Sequence, residues 1–151
     1  MSIDNFEHSF LVGAGADAVY RHLSDPNSYV GLSPLVVEVR DIRLGQDDEG
    51  HNTIAYTAVE RFRKGKLLKW DNRIHVLLTL TRPGVELVSD VVSPGRVRLR
   101  ATVELAPAPV GTHVTERIEL TSPAALRRFV VDQARSVQQH RAQELARRLA
   151  R

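Results

Sequence analysis

Two carboxylates stand where the sequence otherwise places apolar side chains. Glu60 interrupts the alternation Ile54, Tyr56, Ala58, Phe62, and Glu116 interrupts Val114, Ile118, Leu120. Residues two apart in a strand share a face, so each glutamate points where its apolar neighbours are buried. A carboxylate buried without a partner is costly. It therefore either borders a pocket, where an apolar wall raises its pKa toward that of a useful general acid or base, or sits at a wet end of its strand. For Glu60, close to the Lys64-Gly65-Lys66 turn, both readings stand. Glu116 lies nearer mid-strand, and its outer-face neighbours Thr115, Arg117 and Glu119 already supply solubility, so the pocket reading is favoured.

The stretch Phe10 to Leu23, FLVGAGADAVYRHL, points to a different chemistry. Gly13-x-Gly15-x-x-Ala18, between an apolar strand and an amphipathic helix, matches the phosphate-cradling turn of dinucleotide sites, and Glu38 follows at a suggestive distance. The surrounding elements exclude it. Parallel strands need crossover connections, yet no helical crossover follows residue 35 until about residue 123. Between them lie β-rich runs punctuated by Lys64-Gly65-Lys66, Pro83-Gly84, Pro94-Gly95 and Pro107 to Gly111, which are hairpin signals. Asp17, in the first turn of the helix, would also repel a pyrophosphate.

The elements that must position the glutamates follow in order. A strand at 5–12 and a helix at 16–23 precede a short helix or turn at 26–33. Strands are predicted near 35–44, 51–62, 67–81, 85–92, 96–106 and 112–121. A long helix runs from about 123 to 149, with Ser122 as N-cap and Pro123 at its first position. The 151 residues, 42% apolar and 26% charged, suit one soluble domain over 1–151. With no Cys there is no disulfide, thiolate site or cysteine nucleophile, and the six His show no metal-binding spacing, so no metal or cofactor is expected. No apolar run approaches the ~18 residues of a membrane span. The N-terminus lacks the basic start of a secretory signal, and a cytoplasmic location is expected. The net charge of +3 concentrates in seven Arg from Arg127 to Arg151, against Asp132 and Glu144. These read as a solvated helix face rather than a nucleic-acid surface.

This order resembles the helix-grip fold of the START-like, SRPBCC superfamily. The resemblance is carried by FLVGAGADAVYRHLSDPNSYVGLSP at the front and GTHVTERIELTSPAALRRFVVDQARSVQQH at the back. It is closest to the polyketide cyclase/dehydrase-like and lipid-transport branch. The resemblance implies an α+β fold: a curved antiparallel sheet of about seven strands wrapped around a long C-terminal helix, with two short helices between strands 1 and 2. It also implies an internal apolar cavity for a small molecule. Members include cyclases, aromatases, hydrolases, carriers and co-chaperones, so the reaction must be argued from the cavity.

Hairpin turns set which side chains share that cavity. Pairing 62 with 68 puts 60 opposite 70 and 58 opposite 72, so Leu68, Trp70, Asn72, Ile74, Val76 and Leu78 join Glu60 inside. Further on, Leu80 meets Leu87, Leu78 meets Ser89, Ser89 meets Leu99 and Val91 meets Val97. On the long helix Leu126, Phe129, Val130, Val137, Leu145 and Leu149 form an apolar stripe, interrupted by Gln133, His140 and Arg141. Its first half should line the cavity and its second half pack on the sheet. His140 is either a pocket acid/base or a boundary residue paired with Glu144.

The candidates for catalysis are then Glu116 and Glu60, and for ligand contact Tyr56, Trp70, Asn72, Ser89, Phe129, Gln133 and His140. The expected activity is binding of a hydrophobic small molecule (polyketide-like, aromatic or lipidic) by a monomer or homodimer, with cyclisation or dehydration as the plausible chemistry. A non-catalytic carrier or sensor, or a co-chaperone-like module using the basic helix, is the alternative.

Overall fold

The computed structural model describes residues 1–150. Strand β1 (Ser2–Val12) leads into α1 (Ala16–Leu23), a 3-10 turn (Pro26–Ser28) and α2 (Tyr29–Leu32). Six strands follow: β2 (Val36–Gln46), β3 (Asn52–Lys64), β4 (Leu68–Arg82), β5 (Glu86–Ser93), β6 (Val97–Pro107) and β7 (Thr112–Ser122). A 3-10 turn (Ala124–Leu126) precedes the closing helix α3 (Arg127–Arg148). All seven strands form one antiparallel sheet in the order β1-β7-β6-β5-β4-β3-β2. Consecutive strands are neighbours except that β1 closes against β7. This is the helix-grip arrangement, and every hairpin the turn residues announced is present.

Alternation along β7 shows how the sheet is sided. Thr112, Val114, Glu116, Ile118 and Leu120 are buried, whereas His113, Arg117 and Glu119 are exposed. The buried set meets Tyr56, Ala58, Ile74, Val76, Leu78, Leu87, Val103 and Leu105 from the other strands to form the core. Leu145 and Ala142 of α3 are buried against it, so the C-terminal half of the helix packs while its N-terminal half borders open space. Helix α1 is tied down by the Tyr20 hydroxyl, which donates to the Glu86 carbonyl at 2.8 Å; burial, with the Glu86 carboxylate nearby, pushes that phenol up to about 12.

Two details differ from the sequence reading. Phe62 pairs with Trp70 and Glu60 with Asn72, because the β3–β4 connection is Gly65-Lys66-Leu67, with Gly65 at φ 67°. Likewise Val91 pairs with Leu99 and Ser89 with Ala101, the β5–β6 turn being Pro94-Gly95-Arg96. Both shifts are two residues, which moves partners along the strand but leaves each on its face. The Leu78–Ser89 pair forms as expected, whereas the ladder slips between Thr79 and Arg82, where Leu80 was expected to meet Leu87.

Second, Ser122 does not cap α3. It stays in β7 opposite Ser2, with its hydroxyl buried and unpartnered, and Pro123 opens the 3-10 turn instead. The short helix or turn expected at 26–33 is present as the 3-10 turn and α2, which Gly31 at φ 81° breaks into a kinked turn.

The glycines of the fingerprint carry no such demand. Gly15 precedes α1 at φ −66° with nothing within 4 Å of where a Cβ would sit. Gly111 is the opposite case: φ is 92° and a Cβ would lie 2.0 Å from the Val12 carbonyl oxygen. Gly15→Ala should therefore leave the thermal midpoint nearly unchanged. Gly111→Ala should cost about 2 kcal/mol or more, since it combines a left-handed backbone with a backbone clash. Denaturant unfolding of the two variants checks this, and equal stabilities would contradict the packing described.

Candidate functional site

Between the concave face of the sheet and the N-terminal half of α3 lies a cavity of about 290 Å³. It exists because α3 is a poor apolar surface there. Leu126, Phe129, Val130, Ala134 and Val137 reach the cavity, but Phe129 remains 61% exposed, and the fully buried helix residues all lie further along, from Gln138 on. The sheet contributes a wall of aliphatic side chains, among them Val76, Leu87, Val103 and Ile118.

Polar groups break this wall at a few places, and five of them, Arg141, Glu116, Ser33, Tyr29 and Tyr56, converge. Arg141 reaches in from α3 and donates to Glu116 Oε1 at 2.6 Å, with side-chain exposures of only 16% and 9%. A second guanidinium nitrogen donates to Ser33 Oγ at 3.4 Å. Gln138, one turn before Arg141, donates to the Glu116 backbone carbonyl at 3.3 Å, fixing helix and strand in register. Tyr29 and Tyr56 stack beside the pair with ring centroids 6.2 Å apart, and the Tyr29 hydroxyl donates to the Leu23 carbonyl at 2.6 Å.

Burial raises the pKa of both phenols; the Arg141 charge pulls each back only in part, so both stay protonated donors. Burial alone would depress the Arg141 guanidinium, but attraction to Glu116 and the hydrogen bond outweigh it and the shift is upward. The cluster thus presents a permanently charged fork and the Tyr56 phenol to a largely apolar chamber, the Tyr29 hydroxyl being taken by the Leu23 carbonyl.

Glu60 is the contrasting carboxylate. It lines the same cavity, opposite Asn72, and burial raises its pKa with no ion pair or hydrogen bond offsetting the effect among the described residues. A carboxyl whose pKa is raised by an apolar wall is of the kind suited to give and take a proton.

Of the residues singled out from sequence, Glu60, Glu116, Tyr56, Asn72, Ser89, Phe129 and Gln133 line the cavity. Trp70 and His140 do not. Trp70 stacks on Phe62 at 5.5 Å between centroids and is 41% exposed at the end of the hairpin. His140 Nε2 lies 3.3 Å from the Gly31 carbonyl, and Glu144 is taken by Arg147 and Arg148 rather than by His140.

The solvated-face reading of the arginines also needs correction. Arg141 is buried in the site, Arg148 donates to the Ser28 and Val30 carbonyls, Arg127 pairs with Asp4, and Arg135 lies over the Phe6 ring. Arg151 falls outside the described residues. Arg141, Tyr29 and Ser33 are the site residues that sequence reasoning passed over. The available signal was a cation interrupting the apolar stripe of the helix while a carboxylate interrupts that of the last strand.

No group of His and carboxylates that could hold a metal occurs among the described residues, and no helix there is long and apolar enough to cross a membrane.

An antiparallel helix-grip sheet with an apolar chamber and a small polar cluster defines a binder of hydrophobic small molecules. Residues 4–151 match the family described as polyketide cyclase/dehydrase and lipid transport, and the chain belongs to it. Among solved structures, the di-domain aromatase/cyclase StfQ from the steffimycin biosynthetic pathway superposes with a TM-score of 0.68 at 15% identity, over 98% of this chain and 50% of that one. This chain therefore spans half of that relative. The Zhui aromatase/cyclase from a Streptomyces species gives 0.65 at 16% identity, covering 97% and 96%. Ara h 8.0201 gives 0.64 at 8% identity, covering 95% and 98%. At such identities the likeness is one of fold. No curated protein matches the sequence.

The geometry makes the Glu116–Arg141 pair a unit. Glu116→Gln leaves Arg141 buried with a neutral partner and should cost about 3 kcal/mol, whereas Glu119→Gln on the exposed face should cost almost nothing. The double variant Glu116→Gln/Arg141→Met should recover most of the loss. Denaturant midpoints of the set decide it: a double variant no better than the single would show that the pair is not the source of the effect.

Proposed function

We propose that the cavity receives an apolar small molecule with a carbonyl-bearing or anionic end, and that Glu60 performs proton transfer on it. The observation that carries this reading is the division of labour between the two carboxylates. One is neutralised by a buried guanidinium, and the other has no partner and a raised pKa. In such a site Arg141 and Tyr56 hold a carbonyl oxygen and stabilise the negative charge that develops there, while Tyr29, whose hydroxyl donates to the Leu23 carbonyl, packs beside them. Glu116 acts through Arg141 as a positioning residue. Asn72, Ser89 and Gln133, among the other polar groups on the wall, orient further carbonyls.

For a poly-β-keto chain the steps balance without a co-reactant. The Glu60 carboxylate removes a proton from a carbon between two carbonyls. That carbon bonds to a carbonyl carbon further along, and the resulting alkoxide takes the proton back from Glu60. Removal of a second α-proton and loss of the hydroxyl, protonated by the same carboxyl, gives water and a conjugated ring. The aromatase/cyclase names of two structural neighbours are consistent with this chemistry.

A second reading, a carrier with no chemistry, is favoured by one feature: the wall offers a single unpaired carboxylate rather than two that could act together. Both readings share the cavity and differ at Glu60.

Glu60 also sets a pH signature. Its folded-state pKa lies above the unfolded value, so the folded protein binds more protons and the group's contribution to stability falls as pH rises from the unfolded toward the folded pKa. Glu60→Gln should therefore raise the melting temperature at pH 7 and change it little near pH 4. It should keep binding of anilinonaphthalene sulfonate and lower cyclisation of a synthetic poly-β-keto thioester by about 100-fold or more. Wild-type cyclisation unchanged in the variant would remove Glu60 from the chemistry. Absence of any turnover alongside tight dye binding would leave the carrier.

A further inference from the structure

The β3–β4 hairpin reaches past the rest of the sheet. The β4–β5 ladder begins only at His75 and Val92, so Leu68 to Arg73 run on beyond the ladder for roughly 20 Å at ~3.3 Å per residue, and the last part of this length passes the β5–β6 turn. The tip carries large apolar side chains in the open: Leu67 is 100% exposed and Leu68 55%, with Trp70 behind them on Phe62. Phe62 itself lines the cavity, as do the exposed Phe129 and Leu126 at the start of α3 and Pro94 in the β5–β6 turn. The projecting tip therefore stands at the cavity mouth.

Cations surround these apolar groups. Arg63, Lys64, Lys66 and Lys69 flank the hairpin tip, Arg96 and Arg98 follow on the β5–β6 turn, and Arg128 lies beside Phe129; all are exposed and form no ion pair among the described residues. The nearby carboxylates are mostly spoken for, Asp71 by Arg61, Asp4 by Arg127 and Glu38 by Arg40, with Asp132 one turn further along α3.

We propose that this end of the molecule docks on an anionic lipid bilayer, with Leu67 and Leu68 entering the acyl boundary and the cations meeting headgroups. Leu, Trp and flanking Lys are the side chains that partition to that interface, and long cationic stems can cover apolar surface while their charges stay wet. Leu67 lies in the turn and Leu68 opens β4, with Lys64 and Lys66 before them in sequence and Lys69 after. That suits a fluid surface offering headgroups all round better than one fixed protein patch. Docked so, the cavity mouth faces the acyl phase, giving an apolar ligand a route that avoids water. The inference is independent of the chemistry assigned to Glu60.

Vesicle flotation tests it with phosphatidylcholine alone and with phosphatidylserine added. The full chain should bind the anionic vesicles, bind the neutral ones far more weakly, and release as salt rises. Leu67→Glu should abolish binding. Lys64→Glu/Lys66→Glu/Lys69→Glu should weaken it on the order of 100-fold or more, each cation near the surface being worth about fivefold. Both variants should keep the wild-type melting temperature and dye uptake. The proposal is overturned by absence of binding to anionic vesicles, by binding that the substitutions leave intact, or by binding to soluble polyglutamate as tight as to vesicles without dependence on Leu67. A dimer that these substitutions dissociate, with vesicles left unbound, would assign the tip to self-association.

Discussion

The buried contact between Arg141 and Glu116 is the constraint around which the site is organised. An antiparallel sheet curved around a helix must bury one helix face, yet α3 carries only a sparse set of apolar side chains toward it. Its hold on the sheet therefore combines Leu145 and Ala142 packing with a polar clamp, the Gln138 donor to the Glu116 carbonyl and the Arg141 fork on its carboxylate. Such a pair gains little net stability over a well-packed apolar substitute, because desolvating two charges nearly cancels their attraction. What it provides is position. With helix and β7 locked at that level, the helix residues before it are free to stand away from the sheet and leave the chamber open.

The same clamp organises the tyrosines. Tyr29 is held by the Leu23 carbonyl on the segment after α1, and Tyr56 rises from β3, so three separate parts of the chain meet at one guanidinium. Ser33, at the end of the broken α2 turn, adds a fourth. Gly31 lets the chain turn there, and Arg148, about two helix turns beyond Arg141, holds the same segment through the Ser28 and Val30 carbonyls. Two arginines of α3 thus fix the loop that roofs one side of the site.

How much of this was legible in the sequence follows from what kind of information each feature needs. Strand parity is written locally: the alternation around Glu60 and Glu116 placed both inside, and a two-residue error in register at Gly65-Lys66-Leu67 did not matter because the strand period is two. The cavity lining inherited that robustness. Trp70 fails for a reason parity cannot see. It lies on the inner face but stacks on the outer side of Phe62, where β4 runs on beyond its ladder with β5, and how far a strand overhangs its neighbour is set by where the next strand ends. Ser122 fails because the closing strand continues through it, a tertiary pairing with Ser2 overriding its preference for capping.

Arg141 shows the deeper limit. On the sequence it is one of seven arginines at the end of a helix, where composition and the helix dipole both favour a solvated cation. Its exceptional role depends on a carboxylate 25 residues earlier on another element, and pairwise complementarity across elements is not a local property. Seen together, a cation that breaks an apolar helix stripe and an anion that breaks an apolar strand face are one signal. Each is costly alone, and each cost is lifted only by the other. Glu60 breaks its strand face in the same way, but among the described residues no cation pairs with it, and the cost of its burial shows as a raised pKa instead.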